Sequence, residues 1–407
     1  MKKHYFCIVN NDIEKQKNTD MTAMQTTNRL TVSILLCLCV GMTHAADRDK
    51  KLNRQQAAEA QKEITDKWKA AEKARLSYIT AEQKVHVDTI TMPIHWQTFG
   101  NKPADGRSLY ISLHGGGNTA KEVNDGQWIN QWRLYTPAEG VYLCPRAPYN
   151  DWDMHFKPLL DRCYRDVINY CVTYMDVNPD KVYIMGYSAG GDAVWRLAPR
   201  MADTWAAASM MAGHPGNVRM ENLRNTPFSI WCGAEDAAYN RNRLDAARIV
   251  MMDSLQRDDP AGYIHSGGII EGKPHWMDRV DTVAVAWMAQ YKRNPYPTKV
   301  VWRQEELLKP ALYWLKADST ELAYGKEVRA TYDKQNRIVI EKCDYQHITL
   351  CLCDEMMNLD LPVTVVYNGK TLFSGKVSRR RSTIERNMRL RQDERYAFPA
   401  EIRLTME

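Results

Sequence analysis

Residues 182–197 read Val182-Tyr183-Ile184-Met185-Gly186-Tyr187-Ser188-Ala189-Gly190-Gly191-Asp192-Ala193-Val194-Trp195-Arg196-Leu197. A short β-rich apolar run breaks at a glycine, raises one serine between small residues, and continues at once with the helical spacing of Ala193, Val194 and Leu197. A serine held at a sharp strand-to-helix turn takes up a strained backbone, and Gly186 and Gly190 leave room for neighbouring chain to approach it. The helix that begins there aims its free amides and positive dipole end at any charge that develops beside the serine. Such a turn is a nucleophile elbow, and it demands partners elsewhere in the chain.

A serine hydroxyl is a weak nucleophile until a histidine takes its proton, and that histidine needs a carboxylate to fix its tautomer and orientation. Behind this kind of elbow the acid comes first and the histidine second, each after a strand. The run Phe228-Ser229-Ile230-Trp231-Cys232 empties into Gly233-Ala234-Glu235-Asp236, which makes Asp236 the candidate acid and Glu235 the runner-up. Further on, Glu271-Gly272-Lys273-Pro274-His275-Trp276-Met277-Asp278 makes His275 the candidate general base. His86 and His95 lie upstream and His347 far downstream. His214 follows a strand, but chain order leaves it a structural or site-lining place. The strand Leu109–Leu113 ends in His114-Gly115-Gly116-Gly117-Asn118, whose glycines let the backbone turn amides toward an oxyanion. Gly115, Gly116 and the amide of Ala189 are therefore the expected oxyanion hole. A phosphate cradle lacks its lysine and spacing here.

With these residues in view, residues 84 to 291 resemble an α/β-hydrolase of the serine esterase group that includes feruloyl esterases and polyhydroxybutyrate depolymerases. The segment Val177-Asn178-Pro179-Asp180-Lys181 followed by Val182 to Gly191 carries most of the resemblance. It implies acyl-enzyme chemistry at Ser188, without a cofactor.

The local patterns agree with that fold class, a mostly parallel sheet with helices on both faces. Strands are expected at Val85–Thr91, Ser108–Leu113, Val141–Cys144, Lys181–Met185, Ala206–Ala212 and Ser229–Cys232, with helices near Lys157–Met175, Ala189–Met201, Arg241–Leu255 and His275–Tyr291. Ahead of them, residues 46–83 lack Gly and Pro as far as about Thr80 and predict a long helix that packs on the main domain or serves as a stalk. The catalytic domain is expected over 84–292, a proline-containing linker over 293–299, and a small antiparallel β-sandwich of open role over 300–407. In the last of these Asn368-Gly369 signals a hairpin, because both turn positions need positive φ.

Specificity is expected from loops at the C-terminal edge of the sheet, chiefly Pro145 to Phe156. Arg146 and Trp152 stand out there, Arg146 as a fixed cation for a uronate carboxylate and Trp152 as a stacking face for a sugar. His114 and Tyr187, beside the glycine turn and the serine, complete the expected substrate contacts. The leading reading is an exported esterase that removes acyl or methyl groups from a polysaccharide or oligosaccharide ester such as pectin or xylan. A serine peptidase uses the same triad, and a binding protein with a retired hydrolase domain is the reading from another class.

The composition limits other functions. Hydrophobic residues make up 44% of the 407, enough for a substantial core, and the net charge of +6 is dispersed apart from Arg379-Arg380-Arg381. No aromatic-basic interleaving marks a nucleic-acid groove. Arg29 followed by the apolar run Leu30–Met42 and Thr43-His44-Ala45 predicts a signal peptide over 1–45, with a start that reads as over-extended, and a periplasmic or secreted product without a membrane span. Cleavage there leaves seven cysteines, an odd number read mainly as buried small hydrophobes, with Cys343 and Cys351 or Cys353 as the one possible pair. No His/Cys/carboxylate cluster has metal-ligand spacing, so no metal is expected.

Overall fold

The structure, a computed structural model, describes residues 50–406. The expected signal peptide lies outside the described residues. Along Leu109–Leu113 alternate side chains go to opposite sides. Leu109, Ile111 and Leu113 share one buried cluster with Val182 and Ile184, while Tyr110 joins Tyr142, Tyr183 and Met185 in another. A strand buried on both faces belongs in the middle of a sheet covered by helices on both sides.

That sheet has eight strands among the described residues, β1 (Lys84–Val87), β2 (Ile90–Phe99), β3 (Arg107–Leu113), β4 (Gly140–Pro145), β5 (Val177–Tyr187), β6 (Ala207–Met211), β7 (Phe228–Gly233) and β8 (His265–Ile270). Their order is β1-β2-β4-β3-β5-β6-β7-β8. β2 runs antiparallel to both neighbours and the other pairs are parallel. Besides a five-residue helix at Tyr78–Glu82, the helices are α1 (Arg54–Arg75), α2 (Lys121–Trp132), α3 (Leu160–Tyr174), α4 (Ala189–Arg200), α5 (Arg241–Asp258) and α6 (Val283–Met288). Residues of α3, α4 and α5 fill the first cluster, and residues of α2 and α6 fill the second. The mostly parallel, doubly covered sheet is as expected from the sequence.

Several boundaries differ, each for a local reason. The single strand expected at Val85–Thr91 is a hairpin that turns at Asp88, whose φ is +51°. The helix expected from His275 starts only beyond Arg279, because Asp278 and Arg279 adopt φ of +51° and +64° and break it. His275 therefore sits on a loop. Strand β8 carries Gly267-Gly268, which hides its pattern. A Cβ at Gly267 would collide with the Ile230 carbonyl, so glycine is what lets β8 pair with β7.

After the main sheet come β9 (Lys299–Arg303), β10 (Ala311–Leu312), β11 (Leu315–Ala317), β12 (Glu327–Tyr332), β13 (Arg337–Cys343), β14 (His347–Leu352), β15 (Val363–Tyr367), β16 (Lys370–Gly375), α7 (Arg381–Arg391) and β17 (Ala400–Thr405). They form sheets ordered β9-β12-β13-β15-β16 and β10-β11-β14-β17. The expected all-antiparallel arrangement is corrected twice. β13 pairs with β15 in parallel, and α7 stands where only strands were expected. The Asn368-Gly369 turn has positive φ at both positions, +49° and +77°. The seven cysteines from Cys144 onward are free thiols, six of them buried.

At the start of the expected linker, Arg293 is a buried clamp. Arg293, with only 2% of its side chain exposed, reaches Asp180 at 2.8 Å and Asp393 at 2.6 Å and donates to the Asp203 carbonyl at 2.9 Å. Asp180 lies on β5 and Asp393 just after α7, so one guanidinium joins the main sheet to the C-terminal sheets. Asn222 repeats the join, accepting from the Arg303 amide at 2.7 Å and donating to the Arg303 carbonyl at 3.0 Å. α1 packs between α3 and α7, with Arg75 on Asp166 at 2.7 Å and Arg381 on Glu63 at 2.7 Å. Removing one partner of a buried, hydrogen-bonded charge network leaves the others uncompensated, at a cost of about 3–5 kcal/mol. Arg293→Ala is accordingly expected to lower the thermal midpoint by several degrees, read by differential scanning calorimetry, and an unchanged midpoint contradicts the clamp.

Candidate active site

The loop between β5 and α4 is built from close backbone contact. Ser188 has φ +57° and ψ −123°, a region that costs a residue with a side chain roughly 1–3 kcal/mol. Its N–H donates to the Met211 carbonyl at 2.9 Å, which ties the turn to β6. A Cβ on Gly186 would strike the Gly190 backbone, and one on Gly190 would strike the Leu113 carbonyl. Both glycines of the motif are required by space.

Two residues from elsewhere in the chain, His275 and behind it Asp236, line up with Ser188. His275 Nε2 lies 3.0 Å from Ser188 Oγ, and its Nδ1 lies 2.7 Å from Asp236 Oδ2. Asp236 is 2% exposed, and its other oxygen faces Arg241 at 3.4 Å. Glu235 points to solvent and meets neither. The loops that carry acid and histidine are locked together at Gly233, where a Cβ would collide with the Lys273 and Pro274 carbonyls, and by Glu235 N–H donating to Lys273 O at 2.9 Å. Tyr187 is spent on the same loop. Its hydroxyl donates to the His275 carbonyl at 2.6 Å and accepts from the Met277 amide at 3.1 Å, so it holds the histidine loop while its ring lines the cavity.

The glycine turn after β3 rests on His114 and on two polar groups, His155 and Asn124, that the sequence did not single out. Ala147 N–H donates to His114 Nε2 at 3.1 Å, which leaves the proton on Nδ1, donated to Gly115 O at 2.7 Å. His155 donates from Nε2 to the His114 carbonyl at 2.9 Å. Burial holds the His114 imidazole well below its usual range and brings His155 down to about 4, so both rings are neutral near pH 7. The fully buried Asn124 of α2 accepts from Gly117 N–H at 2.9 Å and donates to the carbonyls of Thr119 and Ala120. Gly115 and Gly116 N–H have no partner among the described residues, and Ala189 N–H is the first of α4, with none one turn back. Gly115 packs on Ser188, a Cβ there falling 3.2 Å from the serine Cβ.

Two expected substrate contacts are corrected. His114 is fully buried and braces the turn. Arg146 is 6% exposed and donates to Asp125, Asn150 and the carbonyls of Ala147 and Tyr149, so its fork is consumed in shaping the loop after β4. Trp152 stays exposed, its ring against Phe156 and Arg196, and its amide accepted by Asn118 Oδ1 at 3.1 Å. His214 lies beside the elbow, its amide donating to Asp192 Oδ1 at 2.6 Å.

A cavity of about 660 Å³ opens at Ser188 and His275, walled by Gly115, Gly116, Tyr187, Trp276 and residues of α2 and its end, including Gln127, Asn130, Arg133 and Leu134. α2 was not expected from sequence, because Gly126 interrupts a mostly polar stretch; the wall it supplies was missed with it. In the C-terminal sheets Asp318, Glu321 and His347 approach one another, which ligand spacing did not anticipate. Each is already engaged, Glu321 by His347 Nδ1 at 2.7 Å and Asp318 by Arg403 at 2.7 Å.

No family model matches the chain. Over 132 residues it is 30% identical to NocK of Nocardia uniformis subsp. tsuyamanensis, a protein designated an esterase, and the match covers 28% of this chain and 36% of that one. The chain resembles esterases of the α/β-hydrolase type. Among solved structures it is similar to a thermostable esterase, at 19% identity over 52% of this chain and 62% of that one with a TM-score of 0.40. It is also similar to Est1E from Butyrivibrio proteoclasticus, at 14% identity over 51% of this chain and 95% of that one with a TM-score of 0.35. The chain thus spans about a third of NocK and under two thirds of the thermostable esterase. Among the described residues no helix is long and apolar enough to cross a membrane.

Beneath the acid loop, Asp245 of α5 is fully buried and neither carboxyl oxygen has a hydrogen-bond partner. Desolvation raises its pKa to about 8; the Cys232 thiol relieves this in part, Asp236 and Asp192 add repulsion, and Arg241 relieves it least. The folded state therefore prefers the neutral acid, and unfolding between pH 4 and 8 releases a proton. This contribution to stability is whole below the unfolded value near 4 and is lost as pH rises toward 8, at about 1.4 kcal/mol per unit. Asp245→Asn is expected to flatten the fall in denaturant midpoint between pH 5 and 8; parallel profiles for the two proteins contradict it.

Proposed function

We propose that this chain hydrolyses carboxylic esters through an acyl-enzyme at Ser188. The observation that carries the reading is the pair of contacts made by His275, 3.0 Å to Ser188 Oγ and 2.7 Å to Asp236 Oδ2. His275 Nε2 takes the hydroxyl proton as Oγ adds to the ester carbonyl. Asp236, shielded from water, keeps the remaining ring proton on Nδ1 and balances the imidazolium that forms. The carbonyl oxygen becomes an oxyanion that accepts from Ala189 N–H and from the Gly115–Gly116 turn, donors already held in place by His114 and Asn124. Collapse of the intermediate expels the alcohol, which takes its proton from His275. Water then enters by the same route in reverse and releases the acid, returning the proton to Ser188.

The substrate in this proposal is a methyl or acyl ester, acetyl or feruloyl, on a plant polysaccharide such as pectin or xylan, met outside the cytoplasm by an exported enzyme. An open cavity bordered by the Trp276 ring and the amides of Gln127 and Asn130 supports it, since these are groups that stack on and hydrogen-bond to sugars. The C-terminal sheets are an accessory unit in this reading, clamped to the hydrolase by Arg293.

The test uses the purified chain with p-nitrophenyl acetate, a methyl uronate and a peptide anilide. Ester cleavage is expected to exceed amide cleavage, a fluorophosphonate is expected to label Ser188, and Ser188→Ala and Asp236→Asn are each expected to lower kcat at least about ten-thousand-fold. Faster anilide cleavage, or labelling that survives Ser188→Ala, overturns the reading.

A further inference from the structure

The wall of the Ser188 cavity carries two cations and, among the described residues, no carboxylate. Arg133 caps the C-terminus of α2, and Arg279 ends the loop that carries His275. Both side chains are exposed, and neither guanidinium has an ion pair or hydrogen bond among the described residues. Their neighbours are committed elsewhere. Asp278 is held by Lys273 at 2.8 Å, Asp281 accepts from Tyr135, and Asp125 accepts from Lys121 and Arg146. Arg241 and Arg146, the other arginines near the acid and glycine loops, are each paired and largely buried. Arg279 is also held at a φ of +64°, an uncommon conformation for a long side chain, on the loop that positions the histidine. Apart from a weak long-range attraction of Arg279 to the buried Asp281, these two like charges have no ion-pair partner on the cavity wall, and an anion entering the cavity is drawn by both. The remaining wall is neutral, with the amides of Gln127 and Asn130 and the ring of Trp276 suited to a sugar.

We propose that Arg133 and Arg279 form a subsite for an acidic sugar flanking the scissile ester, so that the substrate is an ester on an anionic rather than a neutral saccharide. This rests on the reading of Ser188 as the ester nucleophile. It moves the cation for a flanking acid away from Arg146, whose fork is already filled, to the end of α2 and the loop that carries His275. The anion is a carboxylate, as on a uronate, or a phosphate, as on a sugar phosphate; a guanidinium offers either one the same paired N–H donors.

Calorimetric binding to the purified full chain tests it, with digalacturonate, glucose 6-phosphate and the neutral disaccharide galactobiose as probes. At least one anion is expected to bind about fivefold or more tightly than galactobiose, the size of one or two exposed ion pairs. Raising the salt tenfold, or combining Arg133→Gln with Arg279→Gln, is expected to abolish that preference. Arg337→Gln, which removes the same charge from the C-terminal sheets, is expected to keep it. The tighter anion names the source. Equal binding of anions and neutral sugar, no binding of either anion, or a preference that survives the double variant overturns the proposal. Because binding needs no turnover, a failed ester assay sinks the hydrolase reading without touching this measurement.

Discussion

The conformation of Ser188 is the constraint on which the site depends. A serine at φ +57° and ψ −123° is not held there by its own preferences, and the surrounding backbone has to over-determine it. Three contacts do so. The Met211 carbonyl takes its amide, Gly190 lies against the Leu113 carbonyl, and Gly186 lies against Gly190. Three neighbouring strands, β3, β5 and β6, thus meet at one residue, and parallel pairing in register is what brings their ends together. The free amides of the turn and the exposure of Oγ follow from that geometry rather than from any property of serine.

The same logic of close backbone approach recurs where the acid and histidine loops meet at Gly233. A glycine there allows Lys273 and Pro274 to cross directly over the end of β7, and the crossing sets His275 between Asp236 and Ser188. Polar side chains then finish the positioning from below. Tyr187 bridges the His275 carbonyl and the Met277 amide, and a neutral His114, stacked edge-on with His155 at 4.6 Å, props the glycine turn. Neutral imidazoles suit that task, because a buried cation beneath the turn would need a partner that the apolar setting does not supply.

Electrostatics also joins the two halves of the chain. Arg293, Asp180, Asp393, Asp203 and Arg391 form a buried network at the junction, with the Tyr396 ring beneath Arg293 and Arg391 at 5.3 and 4.2 Å. The proline-containing segment read as a linker thus begins at a residue, Arg293, that is buried in this network. The apolar core runs through the junction as well, with Trp302, Trp314 and Leu350 in one cluster with Val194 and Phe228.

Ser188, Asp236 and His275 were legible in the sequence because their signals are local. A strand that ends in a glycine, a serine between small residues and a helix pattern all fall within about sixteen positions, and each partner follows its own short strand or Gly/Pro loop. Strands β3 to β7 were legible for the same reason, whereas α2 between β3 and β4 was not. What the sequence left open depends on residues far apart in the chain. Whether Arg146 faces a ligand or its own loop turns on Asp125 and Asn150, and whether Arg133 and Arg279 share a wall turns on where α2 packs. The clamp at Arg293 joins positions 113 and 100 residues apart. Local chemistry determined which residues the candidate site would use, and only the packing of distant segments decided which charges are spent inside the fold and which are left facing the cavity.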